Sequence, residues 1–343
     1  MTEKELLKRA INFGNPGYVP HNIDVSLDFL REKDTAKQHY IRQLLDNSSK
    51  EIVYYWNVKY IHNEKKDNGI AKTDEWGTKW FESGNGLITT YHPMEEGYEY
   101  IDRVCFPNAS LPGRFDDAKS GFESKPDKYH LGGVWFTLFE RLWMLRGFEN
   151  MLMDPYSMEN EFLDLKEKIM QVNLEMIDKW LELGVDGVFF SDDWGTQRGM
   201  LINPDDWRRF YKKDYQRMFD RVRNAGKHVW MHLCGNVIDI IPDLIDIGLN
   251  VLNPVQPQAM DLEYLSREYR GHLCFNGGID VQGVMVSGTP DEVRAAVQRT
   301  IHQLSTPDGG YICSTSHSIM PETPLDNVIA LLESIAEYKR KTE

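Results

Sequence analysis

The sequence predicts an α/β protein, a (β/α)8 TIM barrel with helical and loop excursions at its N-terminus. Three observations carry that reading. From Gly184 onward, short apolar segments alternate with amphipathic segments at helical spacing. Strand–helix alternation with short links builds a parallel sheet with crossover helices. Several of the short segments are apolar on both faces, as strands covered on both sides must be. The polar residues of this half also gather at the carboxyl ends of successive strands, where parallel α/β folds place their chemistry. A doubly wound open sheet is the alternative, but no strand runs into a G-x-G-x-x-G loop and no Walker motif is present.

Taken in order, residues 3–13 read as a short helix. Residues 13–24, FGNPGYVPHNID, carry Gly and Pro turn signals and then a candidate first strand. Residues 30–65 are charged, with Tyr40, Leu44 and Leu45 at helical spacing, and read as a helical excursion. Residues 74–80, DEWGTKW, gather carboxylates and indoles around a glycine, which leaves a surface turn and an active-site rim both open. Residues 82–130 are rich in Gly, Pro, Asp and Lys with little periodicity, so long loops are expected there. Residues 131–139, LGGVWFTLF, read as a strand running into a helix, and 157–183 as a long amphipathic helix. The aromatic residues of 70–140 suit an apolar or aromatic pocket, core packing being the plainer reading.

The second half is regular. Residues 184–193, GVDGVFFSDD, form a strand with carboxylates at its end. Asn203 and Pro204 open a helix as N-cap and first-turn proline. Its Trp207, Phe210, Tyr211, Tyr215, Met218 and Val222 share one face. Residues 227–236, KHVWMHLCGN, are the next strand, with Trp230, His232 and Cys234 on one side and Val229, Met231 and Leu233 on the other. A helix over 237–247 follows, then strands over 248–256 and 273–280. Thr289 to Glu292 is a capping box that starts a helix, 309–313 is the last strand, and Thr323-Pro324 starts the last helix. Five strands fit this half and two or three more the first, so residues 1–343 read as one barrel domain. In it, 1–130 supply N-terminal helices, long loops and the pocket rim.

Composition narrows the function. A hydrophobic fraction of 41% is ample for a large core. A net charge of −14 with no basic stripe argues against nucleic acid. The start, MTEKELLKRAINFG, has no apolar signal region, and no apolar run is long enough to span a membrane. Cys105, Cys234, Cys274 and Cys313 are far apart and do not look like a disulfide framework, so a cytoplasmic, reducing location is expected.

In a barrel, the strand ends would bring together Asp192 and Asp193, His232 and Cys234, Asn253 and Gln256, Asn276 and Asp280, and Cys313 and His317. An imidazole and a thiolate two residues apart supply two ligands that zinc accepts. A core histidine beside an inert buried thiol is the plainer reading of that tripeptide alone. The convergence favours a metal, with Cys313 or His317 as third ligand and an open position, as in a catalytic zinc site. Asp192 and Asp193 are adjacent and point apart, so one of them is expected to be a capping or structural aspartate.

The stretches HLCGN, IPDLIDIGLNVLNPVQ, FNGGID and GGYICSTSHSIMPETPLDNVIAL resemble the uroporphyrinogen decarboxylase-like superfamily, as do SDDWGTQRGMLINPDDWRRF, the DEWG cluster and the N-terminal YVP. The resemblance implies a (β/α)8 barrel and one of two chemistries. The decarboxylases of that superfamily are metal-free and hold tetrapyrrole carboxylates with arginines from R-Q-A-G-R-Y, where this chain reads GNPGYVP. The other branch comprises zinc-dependent, corrinoid-linked methyltransferases marked by H-x-C, which His232 and Cys234 match. Alignment on Pro321–Asn327 puts His317 in the third-ligand slot, Cys313 being the alternative, and Gln256 lies near a further oxygen ligand.

What the resemblance implies is an O-demethylase component. It would use Zn2+ as a Lewis acid to pass a methyl group between a small methylated substrate, preferably a methoxylated aromatic, and a corrinoid (cobalamin) on a partner protein. Asp192 or Asp193 would orient the substrate or manage a proton, and Trp76, Trp194, Gln256 and Asn276 would bind the substrate. A metal-free decarboxylase, a methylcorrinoid:thiol methyltransferase and a non-catalytic binding barrel are the alternatives. Homo-oligomerisation is left open.

Overall fold

The computed structural model describes residues 1–26, 29, 36–47, 52–83 and 86–342. Seven parallel strands form one curled sheet, which confirms the α/β barrel-type fold. They run β1 (Ile52–Tyr55), β6 (Tyr129–Val134), β7 (Gly187–Ser191), β8 (His228–His232), β9 (Val251–Val255), β10 (Cys274–Ile279) and β11 (Tyr311–Thr315). Neighbours in space are neighbours in that sequence order, so every connection crosses over in the same sense of progression around the curl. The eighth position, beside β11, is held by the N-terminal segment. There Asn22 N donates to Cys313 O at 2.9 Å and Cys313 N to Pro20 O at 2.8 Å. The expected first strand thus shrinks to isolated bridges at His21 and Val25. Pro20, which has no N–H, stands at its start.

Strand alternation divides the core. Leu131, Phe189, Trp230, Val251, Cys274 and Ile312 fill the inside of the curl. Val188, Phe190, Val229, Met231, Leu252 and Phe275 face the helices. The helix Glu3–Ile11 sends Leu7 and Ile11 into the inner cluster at the amino ends of the strands. Thr2 and Glu5 form its capping box. Lys4 and Lys8 pair with Asp186 at 3.2 and 2.8 Å, which anchors the helix there.

His228 belongs to that closed end. Its Nδ1 lies 2.7 Å from the Tyr129 hydroxyl and its Nε2 3.1 Å from Asn12 Oδ1. Burial, helped by the Lys8 charge, pushes its pKa down from 6.5 to about 4. Between those values the unfolded chain binds the proton and the folded one does not. Stability is therefore complete above pH 6.5 and falls as the pH drops towards about 4. Urea denaturation across that window should show His228→Gln with a flatter acid limb than the wild type.

The first half departs from its sequence reading. Of residues 30–65, the helix covers Ala36–Asn47, β1 covers Ile52–Tyr55, and a link over 56–59 leads to a further strand that starts at Tyr60. Residues 30–35 and 48–51 lie outside the described residues. Strands β2 (Tyr60–Lys66), β3 (Gly69–Asp74), β4 (Lys79–Ser83) and β5 (Gly86–Tyr91) make a separate antiparallel sheet. No period-two pattern announced it, because β2, YIHNEKK, is exposed over nearly its whole length. Residues 82–130 accordingly hold β5 and the short helices Tyr98–Arg103 and Asp116–Ser124 as well as loops.

The DEWGTKW stretch is a buried knot. Asp74 Oδ1 accepts from the Trp76 and Thr78 amides at 3.0 Å each. Its Oδ2 accepts from Trp80 Nε1 at 3.2 Å and Arg141 Nη1 at 2.8 Å. Arg141 also lies over the Trp76 ring, 4.7 Å from its centroid. The knot fastens the antiparallel sheet to the helix Phe139–Arg146. A carboxylate in a fully buried ion pair of this kind needs every lone pair met, and here each is.

Candidate metal centre

The site forms where the chain leaves β7 and β8. Past the strand ends the two loops stay in contact, with Asp192 N donating to His232 O at 3.1 Å, Gly195 N to Cys234 O at 3.2 Å and Asn236 N to Thr196 O at 2.7 Å. The crossing requires glycine on both sides. A Cβ on Gly195 would meet Cys234 O at 2.6 Å, and one on Gly235, at φ +83, would run into the Gly195 carbonyl carbon. This backbone contact brings Asp193 against Cys234, whose amide donates to Asp193 Oδ1 at 2.8 Å. His232 Nε2 lies 3.3 Å from Cys234 Sγ and 3.8 Å from Asp193 Oδ1. One donor atom from each of Asp193, His232 and Cys234 falls within 4.8 Å of the others.

Burial, and then the Asp193 charge, hold the Cys234 thiol well above its ordinary pKa. Burial and His232 hold His317 below the usual histidine value. Burial, followed by the charges of Asp193 and Asp192, keeps Glu140 well above the carboxylate range, and its Oε2 has no hydrogen-bond partner among the described residues. The cluster thus carries acidic groups that hold their protons for want of a countercharge. A dication at this point would remove that cost and release the thiolate.

A cavity of about 1130 Å³ opens over these groups. Asp193, His232, Cys234, Glu140 and His317 line it together with Tyr54, Trp56, Trp135, Phe136 and Phe189. Trp135 lies 5.7 Å from the His232 ring, parallel to Phe189 at 6.2 Å and edge-on to Trp56 at 4.7 Å. The aromatic wall therefore reaches the end of the cavity that holds His232. Phe136 sits at φ +55, a conformation costly for a bulky residue.

Other candidates from the sequence lie elsewhere. Asp192 is fully buried, and its carboxylate accepts from the amides of Leu138, Phe139 and Glu140 at 2.9, 2.7 and 2.6 Å and from the Tyr215 hydroxyl. It caps the start of the helix Phe139–Arg146 and is not among the residues that line the cavity. Cys313, the alternative third ligand, likewise is not among the residues that line the cavity. In β11, Ile312 turns into the inner core, and alternation sends Cys313 to the helix-facing cluster, where burial pushes its thiol up to about 12. His317, four residues on, is the one that lines the cavity. Trp76 is held in the Asp74 knot. Trp194 is fully buried, 4.0 Å from Phe139 and 4.6 Å from Tyr211, so neither indole lines the cavity.

Gln256 Oε1 accepts from the Gly235 amide at 2.5 Å, holding the turn behind Cys234, and lines a smaller recess of about 500 Å³ on the other side of His317. Asn276 lines the main cavity, but its amide is engaged by Asn253 and the Ile312 carbonyl. Sequence reasoning missed Glu140, Trp135, Phe136, Tyr54, Trp56 and Phe189 as individuals. Trp135, Phe136 and Phe189 sit in apolar runs read as strands, Tyr54 and Trp56 in the stretch read as a helical excursion, and Glu140 directly after the run 131–139.

The family model for uroporphyrinogen decarboxylase (URO-D) matches residues 130–338. A uroporphyrinogen decarboxylase of Thermus thermophilus is 26% identical over 173 residues, 50% of this chain and 48% of that one. That of Solibacter usitatus is 26% identical over 184 residues, 54% of this chain and 50% of that one. This chain thus spans about half the length of the curated relatives it matches. Among solved structures, a methyltransferase from Methanosarcina mazei superposes with a TM-score of 0.69 over 99% of both chains at 17% identity. A B12-independent methionine synthase from a Shewanella species does so with a TM-score of 0.51 at 12% identity, over 94% of this chain and 99% of that one. Both structural likenesses show a common fold.

Proposed function

This chain belongs to the uroporphyrinogen decarboxylase family, and from that premise we propose that it is a zinc-dependent methyltransferase. It passes a methyl group between a small methylated substrate, preferably a methoxylated aromatic, and a corrinoid carried on a partner protein. The observation that supports this reading is the thiol, imidazole and carboxylate gathered within 4.8 Å at the ends of β7 and β8. Cys S, His N and Asp O are the ligand types of zinc, and the excess of acidic groups suits a dication. His232, Cys234 and Asp193 would hold the metal, with His317 as a further donor in reach of the same cavity. Zinc, when bound, supplies Lewis acidity that stabilises negative charge on the departing oxygen.

The protein's own groups do the rest. The wall of Trp135, Phe189, Tyr54 and Trp56 takes an aromatic ring and keeps water from the reacting end. Glu140 holds a proton beside it, within the field of Asp193. A second reading, decarboxylation, follows from the names of the relatives. The Asp193 carboxylate counts against it, since it would repel an acidic substrate at this end of the cavity.

The test is to add cob(I)alamin and 2-methoxyphenol to the protein with and without zinc and to follow methylcobalamin by absorbance. Zinc-dependent formation of methylcobalamin, lost in Cys234→Ala, is the expected result. No methyl transfer from methoxylated aromatics, methylamines or methanol, together with decarboxylation of uroporphyrinogen, would overturn it.

A further inference from the structure

We infer that Asn253 and Asn276 are positioning residues that fix the tautomer of His232. They hold the ring with its proton on Nδ1 and leave Nε2 bare towards Cys234 and Asp193. The inference deepens the zinc reading and rests on it only where affinity is measured.

The argument starts at a backbone carbonyl, which can only accept. Ile312 O lies 3.1 Å from the fully buried Asn276 carboxamide, so the group facing it is Nδ2. Asn276 Oδ1 is thereby turned to Asn253, 2.5 Å away. An oxygen in that position needs a donor, so Asn253 must present Nδ2 to it and turn its own Oδ1 to His232. His232 Nδ1 lies 2.7 Å from that oxygen and so carries the hydrogen. Neither amide can turn over without opposing two oxygens or two N–H groups. The relay crosses four neighbouring strands at one level of the barrel. His232 on β8 is the register partner of Asn253 on β9, and Asn276 on β10 that of Ile312 on β11. An imidazole of the other tautomer could not offer Nε2 to a metal, and loss of such outer partners typically costs about 10–100-fold in metal affinity.

Two measurements test the relay. The first is 15N NMR of the metal-free wild type, with the His232 signals assigned by their loss in His232→Gln. The expected spectrum shows Nδ1 protonated and Nε2 bare, whereas a proton on Nε2 would overturn the inference. The second is zinc affinity by chelator competition, each variant being checked for folding by circular dichroism.

Asn253→Leu should weaken zinc binding by about 10–100-fold. Asn276→Leu should weaken it comparably without touching the ring, because Asn253 is then free to turn over. In the Asn276→Leu background, Asn253→Asp should restore the affinity, since a carboxylate has no donor to present to the ring; with Asn276 in place it would set an oxygen against Asn276 Oδ1. A residue that merely packs would rank these variants the other way, tolerating leucine and resenting a charge. Wild-type affinity in Asn253→Leu, or no recovery when Asn253→Asp is added to Asn276→Leu, would overturn the proposal. A wild type that binds no zinc would sink the metal reading, and the NMR spectrum would still decide the tautomer.

Discussion

Replacing His232 or Cys234 by alanine should remove bound zinc and lower methyl transfer by about 10³-fold or more, with the fold intact. Two of the three clustered donors would remain in each variant, too few to hold the ion in a defined geometry. A metal Lewis acid is worth several kcal/mol at the transition state, and each ~1.4 kcal/mol is a factor of ten in rate. Both side chains stand past or at the end of β8 and are only partly buried, so little packing is lost with them. Cys313→Ala is the control, because that thiol faces the helices and its loss should leave zinc in place. Metal analysis with a methyl-transfer assay on the three proteins checks the set. Zinc retained in Cys234→Ala would refute the assignment.

Asp192→Ala should have the opposite character. It should destabilise the protein by about 3–5 kcal/mol, the range seen when one member of a buried charged network is removed. Three amide hydrogens of the helix Phe139–Arg146 and its lead-in and the Tyr215 hydroxyl all end on that carboxylate, and none reaches water. Alanine would leave them without an acceptor, and a loss of that size is a large share of a typical domain's stability. The neighbouring Asp193→Ala should instead keep the fold and lose the metal. Urea denaturation of the two variants separates the roles. A loss under about 1 kcal/mol for Asp192→Ala would mean that the helix start finds its partners elsewhere.

These two aspartates show where the sequence stops being legible. Their opposite orientations follow from strand alternation alone, but which one faces the cavity depends on the helix Phe139–Arg146 arriving over Asp192. Cys313 and His317 are four residues apart, so parity does not separate them; His317 lies past the end of β11 at Thr315, in the loop that lines the cavity. The barrel strands from β7 to β11 were readable because each is apolar on both faces and bounded by glycine. The sheet β2–β5 was not, because its first strand, β2, is open to solvent along nearly its whole length and has no alternation to read. His232 and Cys234 could be picked out by spacing and position at a strand end. Trp76 and Trp194 could not be told from pocket residues, since an indole in the core and one in a cavity wall look alike in sequence. Glu140 was hidden for the converse reason, a lone acid in an apolar stretch whose exposure to the cavity is a tertiary fact.

The most direct test of the account is the metal content of the wild-type protein, purified without chelators and measured by elemental analysis. About one zinc per chain is the expected result for a set of Cys, His and Asp ligands that leaves one position open. A folded protein free of zinc and of any other transition metal would contradict it.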